Sequence, residues 1–150
     1  MRFFLRFAVV CLTCFAAWPA LASDLKLEAR LIWGVNDSQA AQHKPVAPDL
    51  ASKLQRVFKW SNYYDITNQI HSIPVNESRD FRMSERCVLK IKNLGDSRIE
   101  VNCIGKGKEV SRGTHTLAPS QWVILAGNDK NNTAWFIGLR EVDAGLADSK

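Results

Sequence analysis

The sequence predicts a mainly β domain: a β-sandwich or small antiparallel barrel of about seven strands, with one inserted α-helix at about residues 48–59. Three observations predict this class. Most apolar segments are short and alternate with polar residues, which is the pattern of half-buried strands. Glycine, proline and asparagine separate these segments, as they do in turns. Only residues 48–59 clearly place apolar side chains at helical spacing.

The first 22 residues predict a secretory signal peptide that is cleaved on export. They combine a basic start at Arg2 and Arg6, an apolar run over residues 3–18 and a small-x-small cleavage site at residues 20–22. The apolar run is shorter than the roughly 20 residues of a membrane-spanning helix. We therefore favour cleavage over a retained anchor and expect no transmembrane segment in the mature chain.

Cleavage would leave one disulfide-stapled β domain at residues 23–142 and a flexible C-terminal tail at residues 143–150. Removing 22 of the 150 residues leaves 128, which suits a single domain with its own core. The loss of two arginines lowers the formal net charge from +5 to +3. This mild charge does not predict nucleic-acid binding. Export predicts a periplasmic or extracellular location.

Residues 24–35 predict the first strand, because apolar and polar residues alternate along it. Its apolar face carries Leu25, Leu27, Ala29, Leu31 and Trp33. A polar loop at residues 36–46 leads to the helix, where Pro48 and Asp49 suit the first turn. The predicted apolar stripe of the helix is Leu50, Leu54, Val57 and Phe58.

The middle of the chain predicts further strands separated by turns. Residues 63–67 form one strand, and residues 70–75 suggest another, in which Pro74 marks an edge or a break. Residues 77–79 read as a polar turn, and residues 109–117 as a weak strand.

Residues 87–103 predict a hairpin that is stapled by a disulfide. The alternation pairs Cys87 with Cys103, Leu89 with Val101 and Ile91 with Ile99 on one face. A two-residue turn at Gly95-Asp96 would favour a register one residue away, and a bulge near Leu94 would reconcile the two. Facing residues lie within disulfide reach, and the bond would contribute about 3 kcal/mol by closing a loop of about 15 residues. Cys11 and Cys14 leave with the signal peptide, and a single pair agrees with an oxidising compartment.

The last hairpin, at residues 121–126 and 133–139, is apolar on both faces. The predicted pairing is Trp122 with Ile137 and Ile124 with Trp135 on one face, and Val123 with Phe136 and Leu125 with Ala134 on the other. Strands of this kind are central and covered on each side. The helix is the natural cover for one face. If it packs elsewhere, exposed aromatic residues would imply a binding partner.

This hairpin motivates the first functional hypothesis: a non-enzymatic exported module that recognises another envelope protein through a sheet edge or an aromatic patch. The candidate interaction aromatics are Trp60, Tyr63, Trp122 and Trp135. Aromatic residues of this kind are more often part of a core.

A second hypothesis is a binder of anionic envelope polymer, either polysaccharide or lipid headgroups. The candidate anion-binding residues are Lys90, Lys92, Arg98, Lys106 and Lys108. In the predicted register Lys92 lies opposite Arg98, and such a like-charge pair suggests an anion between them. Lys90 would pair with Glu100. A solvated sheet face is the favoured interpretation because the net charge is mild.

The sequence predicts no catalytic residue, metal site or cofactor. It has no Gly-x-Ser-x-Gly motif, and a disulfide would leave no free cysteine nucleophile. The three histidines, His43, His71 and His115, lack metal-ligand spacing. A small hydrolase with an unrecognised carboxylate pair is the third hypothesis, and the sequence cannot choose the pair.

Three short segments of the sequence, at residues 31–37, 58–63 and 133–136, resemble segments of a group of small secreted bacterial proteins of uncharacterised function. The likeness spans most of the mature chain. The resemblance implies a bacterial envelope setting and brings no activity, cofactor or binding residue with it.

Overall fold

A computed structural model describes residues 24–38, 41–128 and 132–143. The predicted signal peptide and nearly all of the predicted tail lie outside these residues. One helix and nine strands form in the order β1 (Leu25–Val35), β2 (Lys44–Pro45), α1 (Pro48–Val57), β3 (Asn62–Ile73), β4 (Ser78–Ser84), β5 (Cys87–Gly95), β6 (Arg98–Gly105), β7 (Lys108–Thr116), β8 (Val123–Asn128) and β9 (Ala134–Glu141).

The strands make two antiparallel sheets, which confirms the predicted sandwich with one helix. Sheet A has the order β2-β3-β1-β9-β8, and sheet B has the order β4-β5-β6-β7. Each is an open sheet in the part of the chain that is described, so the barrel alternative does not apply. Sheet B is built from consecutive hairpins, whereas sheet A joins both ends of the chain.

The first core lies between the two sheets. Sheet A contributes the alternating apolar residues of β1 together with Ile137 and Leu139 of β9. Sheet B contributes Phe81, Met83, Leu89, Ile91, Ile99 and Val101. The predicted core face of β1 is confirmed from Leu25 to Leu31, since all four of its alternating apolar residues there are buried.

The second core lies on the other face of sheet A, under the helix. Leu50 and Leu54 of α1 pack with Ile32, Trp122 and Phe136. The prediction that the helix covers one face of the last hairpin is therefore confirmed. One part of the predicted stripe is wrong: Val57, the last residue of the helix, is 70% exposed although its spacing places it on the same helical face as Leu50 and Leu54.

The cysteine hairpin has a different register from the predicted one. Leu89 lies opposite Cys103, Ile91 lies opposite Val101, and Cys87 lies opposite Gly105. The predicted register is wrong by two residues, which leaves every side chain on its predicted face. The turn is Asp96-Ser97, with both φ angles positive, and the register shifts between Asn93 and Gly95. The predicted bulge near Leu94 is confirmed.

The last hairpin also departs from its predicted register, here by three residues. Leu125 lies opposite Ile137, and Ala126 lies opposite Phe136. Because three is an odd number, the shift exchanges the two faces of β8 relative to β9. Trp122 and Ile124 therefore join the second core, while Val123 and Leu125 pack against the first.

Residues 62–73 form one long strand rather than two. The register between β1 and β3 shifts between Leu31 and Ile32, where β3 carries one extra residue, Ile66. This bulge keeps the strand continuous. The strand ends at Ile73, and the predicted break at Pro74 directly follows it.

Candidate functional site

Three of the four predicted interaction aromatics are buried. Trp60, Tyr63 and Trp122 belong to the second core and are not available as interaction residues, which agrees with the core interpretation of such aromatics. The physical reason is the helix, which covers the face on which they lie. Trp135 is 37% exposed and is the one member of the set that lies at the surface.

Trp135 belongs to a cluster of rings that we call the aromatic shelf, formed by Trp33, His43, Tyr64 and Trp135. The two indoles stack with 6.2 Å between ring centroids and 25° between planes. The imidazole of His43 meets the Trp33 ring edge-on at 5.4 Å and lies 6.1 Å from the buried ring of Tyr64. The cluster therefore presents two stacked indoles, with the imidazole of His43 edge-on to that of Trp33.

Strand pairing places these rings together. Trp33 of β1 lies directly opposite Trp135 on one side and Tyr64 on the other. Trp33 and Trp135 continue the inner face of sheet A two residues past Leu31 and Ile137, the last members of the first core on those strands. The aromatic shelf thus extends the apolar interior beyond the region that the two sheets share.

Next to the aromatic shelf lies β8, an edge strand of sheet A. Its sequence is Val-Ile-Leu-Ala-Gly-Asn, without a charge or a proline. In the described ranges β8 pairs along one side only, with β9. Val123 and Leu125 on its inner face are only partly buried.

The other three edges carry protective residues. β2 is two residues long and includes Pro45. The β4 edge contains Arg79, Asp80 and Arg82. The β7 edge contains Lys108, Glu109 and Arg112. Charges, proline and short length are the usual protections against unwanted strand pairing, and β8 has none of them.

Gly127 leaves the aromatic shelf open towards the β8 edge. It lies directly opposite Trp135 and therefore shares its face of sheet A. Because Gly127 has no side chain, it places no atoms between the indole and the edge. A Cβ atom added to Gly127 would lie 3.7 Å from the Trp135 carbonyl oxygen, an ordinary contact. The space for a side chain exists, and the sequence leaves it empty.

A second cluster, the Trp122 network, lies on the outer face of sheet A beside the helix. Glu28 is buried and accepts hydrogen bonds from Arg30 at 2.7 Å and from Arg140 at 2.6 Å. Arg30 also binds Asp65 at 2.8 Å. The two guanidinium groups lie 5.4 and 4.3 Å from the centroid of the Trp122 ring. β1 and β9 bring these groups together because residues 28 and 140 are directly opposite one another.

The Trp122 network bears on the hydrolase hypothesis, because Glu28 and Asp65 share Arg30 as an ion-pair partner. Both oxygens of Glu28 accept from guanidinium groups, which favours a structural role over proton transfer. Burial raises the pKa of Asp65, although the attraction of Arg30 opposes this rise. One oxygen of Asp65 and the indole N–H of Trp122 are buried without a hydrogen-bond partner among the described residues.

The predicted basic cluster is not brought together. Lys92 lies opposite Glu100 rather than Arg98, so the like-charge pair is wrong, as is the pairing of Lys90 with Glu100. The reason is the two-residue change of register. Arg98 begins β6 and Lys106 follows its last residue, which places them about 25 Å apart at the strand rise of about 3.3 Å per residue.

Acidic groups also interrupt this face. Arg112, which neighbours the predicted set, binds Glu109 at 2.8 Å and lies 3.8 Å from Glu100. Lys90 lies between Asp80 and Asn102 on the neighbouring strands. The face therefore alternates in charge, which favours the solvated interpretation over an anion site.

Cys87 and Cys103 are free thiols in the structure and are not at disulfide distance. The prediction that they face each other is wrong, because each lies two residues from the position opposite the other. Both are half-buried against the first core. The interaction between the two thiols lowers the pKa of Cys103 to about 7 and, together with burial, raises that of Cys87.

The histidines have separate surroundings. His43 belongs to the aromatic shelf, His71 meets the Phe81 ring edge-on at 4.7 Å, and His115 faces Ile99 across the sheet. Within residues 24–38, 41–128 and 132–143, no group of three or more His, Cys, Asp or Glu side chains is placed to hold a metal ion.

Sequence reasoning missed Trp33, His43 and Tyr64 as site residues, and it missed the Trp122 network. The alternation of β1 already placed Lys26, Glu28 and Arg30 on its second face. Ile32 follows these polar residues on the same face of β1, and it is fully buried. An apolar residue at that position could have indicated that this face is partly covered rather than fully solvated.

Comparison with protein-family models, curated proteins and solved structures gave no match. The resemblance to small secreted bacterial proteins therefore stays a prediction. Among the residues that are described, no helix has the length and apolar character needed to cross a membrane.

Proposed function

We propose that the protein is an exported, non-enzymatic binding module that takes an extended segment of another envelope protein as an added strand on the β8 edge. The aromatic shelf would receive side chains of that segment. The observation that carries this proposal is the unprotected apolar edge of β8 beside an exposed tryptophan.

The backbone of β8 supplies the first part of the recognition. An edge strand presents N–H and C=O groups along one side, and an extended segment pairs with them regardless of its sequence. In the described ranges, the three other edge strands carry charges or proline or are short, which disfavours such pairing. Residues 66–73 of β3 also pair on one side only, but they lie next to β4, where Gln69 donates a hydrogen bond to the carbonyl oxygen of Arg82. Of the described edges, that of β8 has the least protection against an added strand.

The side chains around β8 supply the second part. Alternate residues of an added strand would lie on the same face as Val123, Leu125 and Gly127. They would cover the partly buried side chains of Val123 and Leu125 and reach Trp135 across Gly127. Burial of apolar area contributes roughly 25 cal/mol per Å², so a partner with apolar or aromatic residues at alternate positions is expected.

A direct test is to select short random peptides on the immobilised protein and to map where they bind. Selected peptides are expected to carry alternating apolar residues and to bind with little dependence on salt. Hydrogen exchange should show new protection of the β8 amides in the complex. Protection elsewhere, with β8 unchanged, would refute the proposed site.

Two matched variants make the test specific. A Cβ atom at position 127 meets no close contact, and Gly127→Lys places a charge on the edge beside Trp135, so it should lower affinity at least about tenfold. Val110→Lys places the same charge on the β7 edge at a residue that is 62% exposed, and it should leave affinity unchanged. Equal losses from both variants would contradict the proposal.

The anionic-polymer alternative gives the opposite result. Its binding would weaken steeply with salt and with charge reversal at Lys92 and Arg98, and Gly127→Lys would not reduce it. Export itself is tested by locating the chain in cell fractions and sequencing its N-terminus. A processed chain that begins near Ser23 outside the cytoplasm is expected, and an unprocessed cytoplasmic chain would contradict it.

A further inference from the structure

The two cysteines occupy an irregular corner of sheet B. Cys87 begins β5, and Cys103 lies diagonally across from it on β6. The β4–β5 pairing shifts register between Arg82 and Ser84, next to Cys87. The β6–β7 pairing shifts between Cys103 and Ile104. Bulges on both outer strands increase the local twist and interrupt the ladders that would hold this corner rigid.

Diagonal placement makes a bond between the two sulfurs possible but unfavourable in this backbone conformation. Diagonal neighbours on antiparallel strands have Cα atoms about 7–8 Å apart. Unstrained disulfides span about 4.4–6.8 Å between Cα atoms. The ends of β5 and β6 must therefore approach each other when the bond forms, and strain of this kind makes a disulfide easier to reduce.

The two cysteine side chains share one face of sheet B and are accessible. Each lies two residues from the position opposite the other, and both residues are only partly buried. The cysteines are unequal, because their interaction raises the pKa of Cys87 and lowers that of Cys103 to about 7. A lowered pKa favours the thiolate form of Cys103. The thiolate is the nucleophile in thiol–disulfide exchange.

We propose that Cys87 and Cys103 form a reversible dithiol–disulfide site in which Cys103 is the attacking thiolate, Cys87 is the resolving thiol and the oxidant is a small-molecule or protein disulfide. In the first step the Cys103 thiolate bonds to one sulfur of the oxidant and its S–S bond breaks. The released thiolate takes a proton from solvent.

In the second step Cys87 loses its proton to solvent, and its thiolate attacks the Cys103 sulfur. The bond between Cys103 and the oxidant sulfur breaks, and the second thiolate of the oxidant leaves and takes a proton from solvent. Two thiols of the protein are oxidised to one disulfide, and the oxidant disulfide is reduced to two thiols. The first step favours the second, because it removes the charge at Cys103 that helps to raise the pKa of Cys87.

The test uses oxidised glutathione with the reduced, purified chain in a Cys11→Ser, Cys14→Ser background, so that only the two cysteines of sheet B react. The wild-type pair should form an intramolecular disulfide that reduced glutathione reverses. Cys87→Ser should accumulate a glutathione adduct at Cys103. Cys103→Ser should react at least about tenfold more slowly through Cys87.

Peptide mapping of the unsubstituted pair after brief alkylation gives an independent readout that needs no serine variant. Cys103 should be labelled first, with a rate that rises through pH 7. Labelling of Cys87 first, the absence of an intramolecular disulfide in oxidised glutathione, or a disulfide that reduced glutathione does not reverse would each overturn the proposal.

Discussion

The buried carboxylate of Glu28 is expected to contribute strongly to stability. Glu28→Gln keeps the shape of the side chain and removes the charge that faces Arg30 and Arg140. Removing one partner of a buried ion pair typically costs about 3–5 kcal/mol, because the other charge stays buried. The structure places this case at or just below the lower end of that range. Arg30 keeps its bond to Asp65, and the side chain of Arg140 is 27% exposed and can reach water.

We therefore expect a loss of about 2–3 kcal/mol in the free energy of unfolding. In a domain of this size such a loss lowers the melting temperature by about 10 °C. Urea unfolding followed by tryptophan fluorescence measures the free energy, and an unchanged slope with denaturant would show that both states keep their compactness.

The matched control is Glu109→Gln on the outer face of sheet B. Glu109 also binds an arginine, Arg112, at 2.8 Å, but this pair lies at the surface. The control should leave the unfolding midpoint unchanged. Adding Arg140→Gln to Glu28→Gln should cost less than the sum of the two single changes, because the unpaired cation is removed. Equal midpoints for Glu28→Gln and Glu109→Gln would refute the reasoning from burial.

Three further predictions follow from single residues. Burial raises the pKa of Asp65 above its ordinary value of 3.8. The stability that protonated Asp65 contributes is therefore present below pH 3.8 and is lost as the pH rises through the folded-state pKa. Asp65→Asn should flatten the pH dependence of urea unfolding in that range without destabilising the protein at pH 7, and a steeper dependence would contradict this. Gly34→Ala should lower the free energy of unfolding, measured by calorimetry, by about 1–3 kcal/mol, because the added Cβ would lie 2.7 Å from the Phe136 ring. The control Gly127→Ala should change it by less than about 0.5 kcal/mol. Equal effects would count against the packing argument. Leu54→Ala should cost about 2–5 kcal/mol in urea unfolding, and a loss below about 1 kcal/mol would show that the helix does not seal the second core.

The two hairpins show why the fold class could be predicted from the sequence more readily than the strand registers. In the cysteine hairpin one face is apolar, so alternation identifies the face of every residue. A shift of two residues preserves that face, and only turn chemistry can distinguish the alternatives. The turn at Asp96-Ser97 lacks a glycine at either central position, although Gly95 precedes it. A preference for glycine therefore located the turn one residue too early.

In the last hairpin both faces are apolar, so alternation cannot identify the face on which each residue lies. The sequence pattern fits equally well after a shift of three residues. In the predicted register Trp122 and Trp135 lie on the same face of the sheet, and in the observed register they lie on opposite faces. The error mattered for function. It grouped a tryptophan of the second core with the exposed one at the aromatic shelf. The shelf itself requires pairing between β1, β3 and β9, which a single sequence does not reveal.

The topology of sheet A has a consequence for how the chain acquires its structure. β1 is central in this sheet and pairs with β9, so that Leu31 meets Ile137 from the far end of the chain. Sheet B contains only consecutive hairpins and closes short loops, which is the faster kind of pairing. A chain that emerges from its N-terminus, from a ribosome or a membrane channel, therefore holds β1 without its second neighbour until residues 134–141 arrive. We expect sheet B to form first, with completion of sheet A as the late, all-or-none step that commits the domain to its folded state.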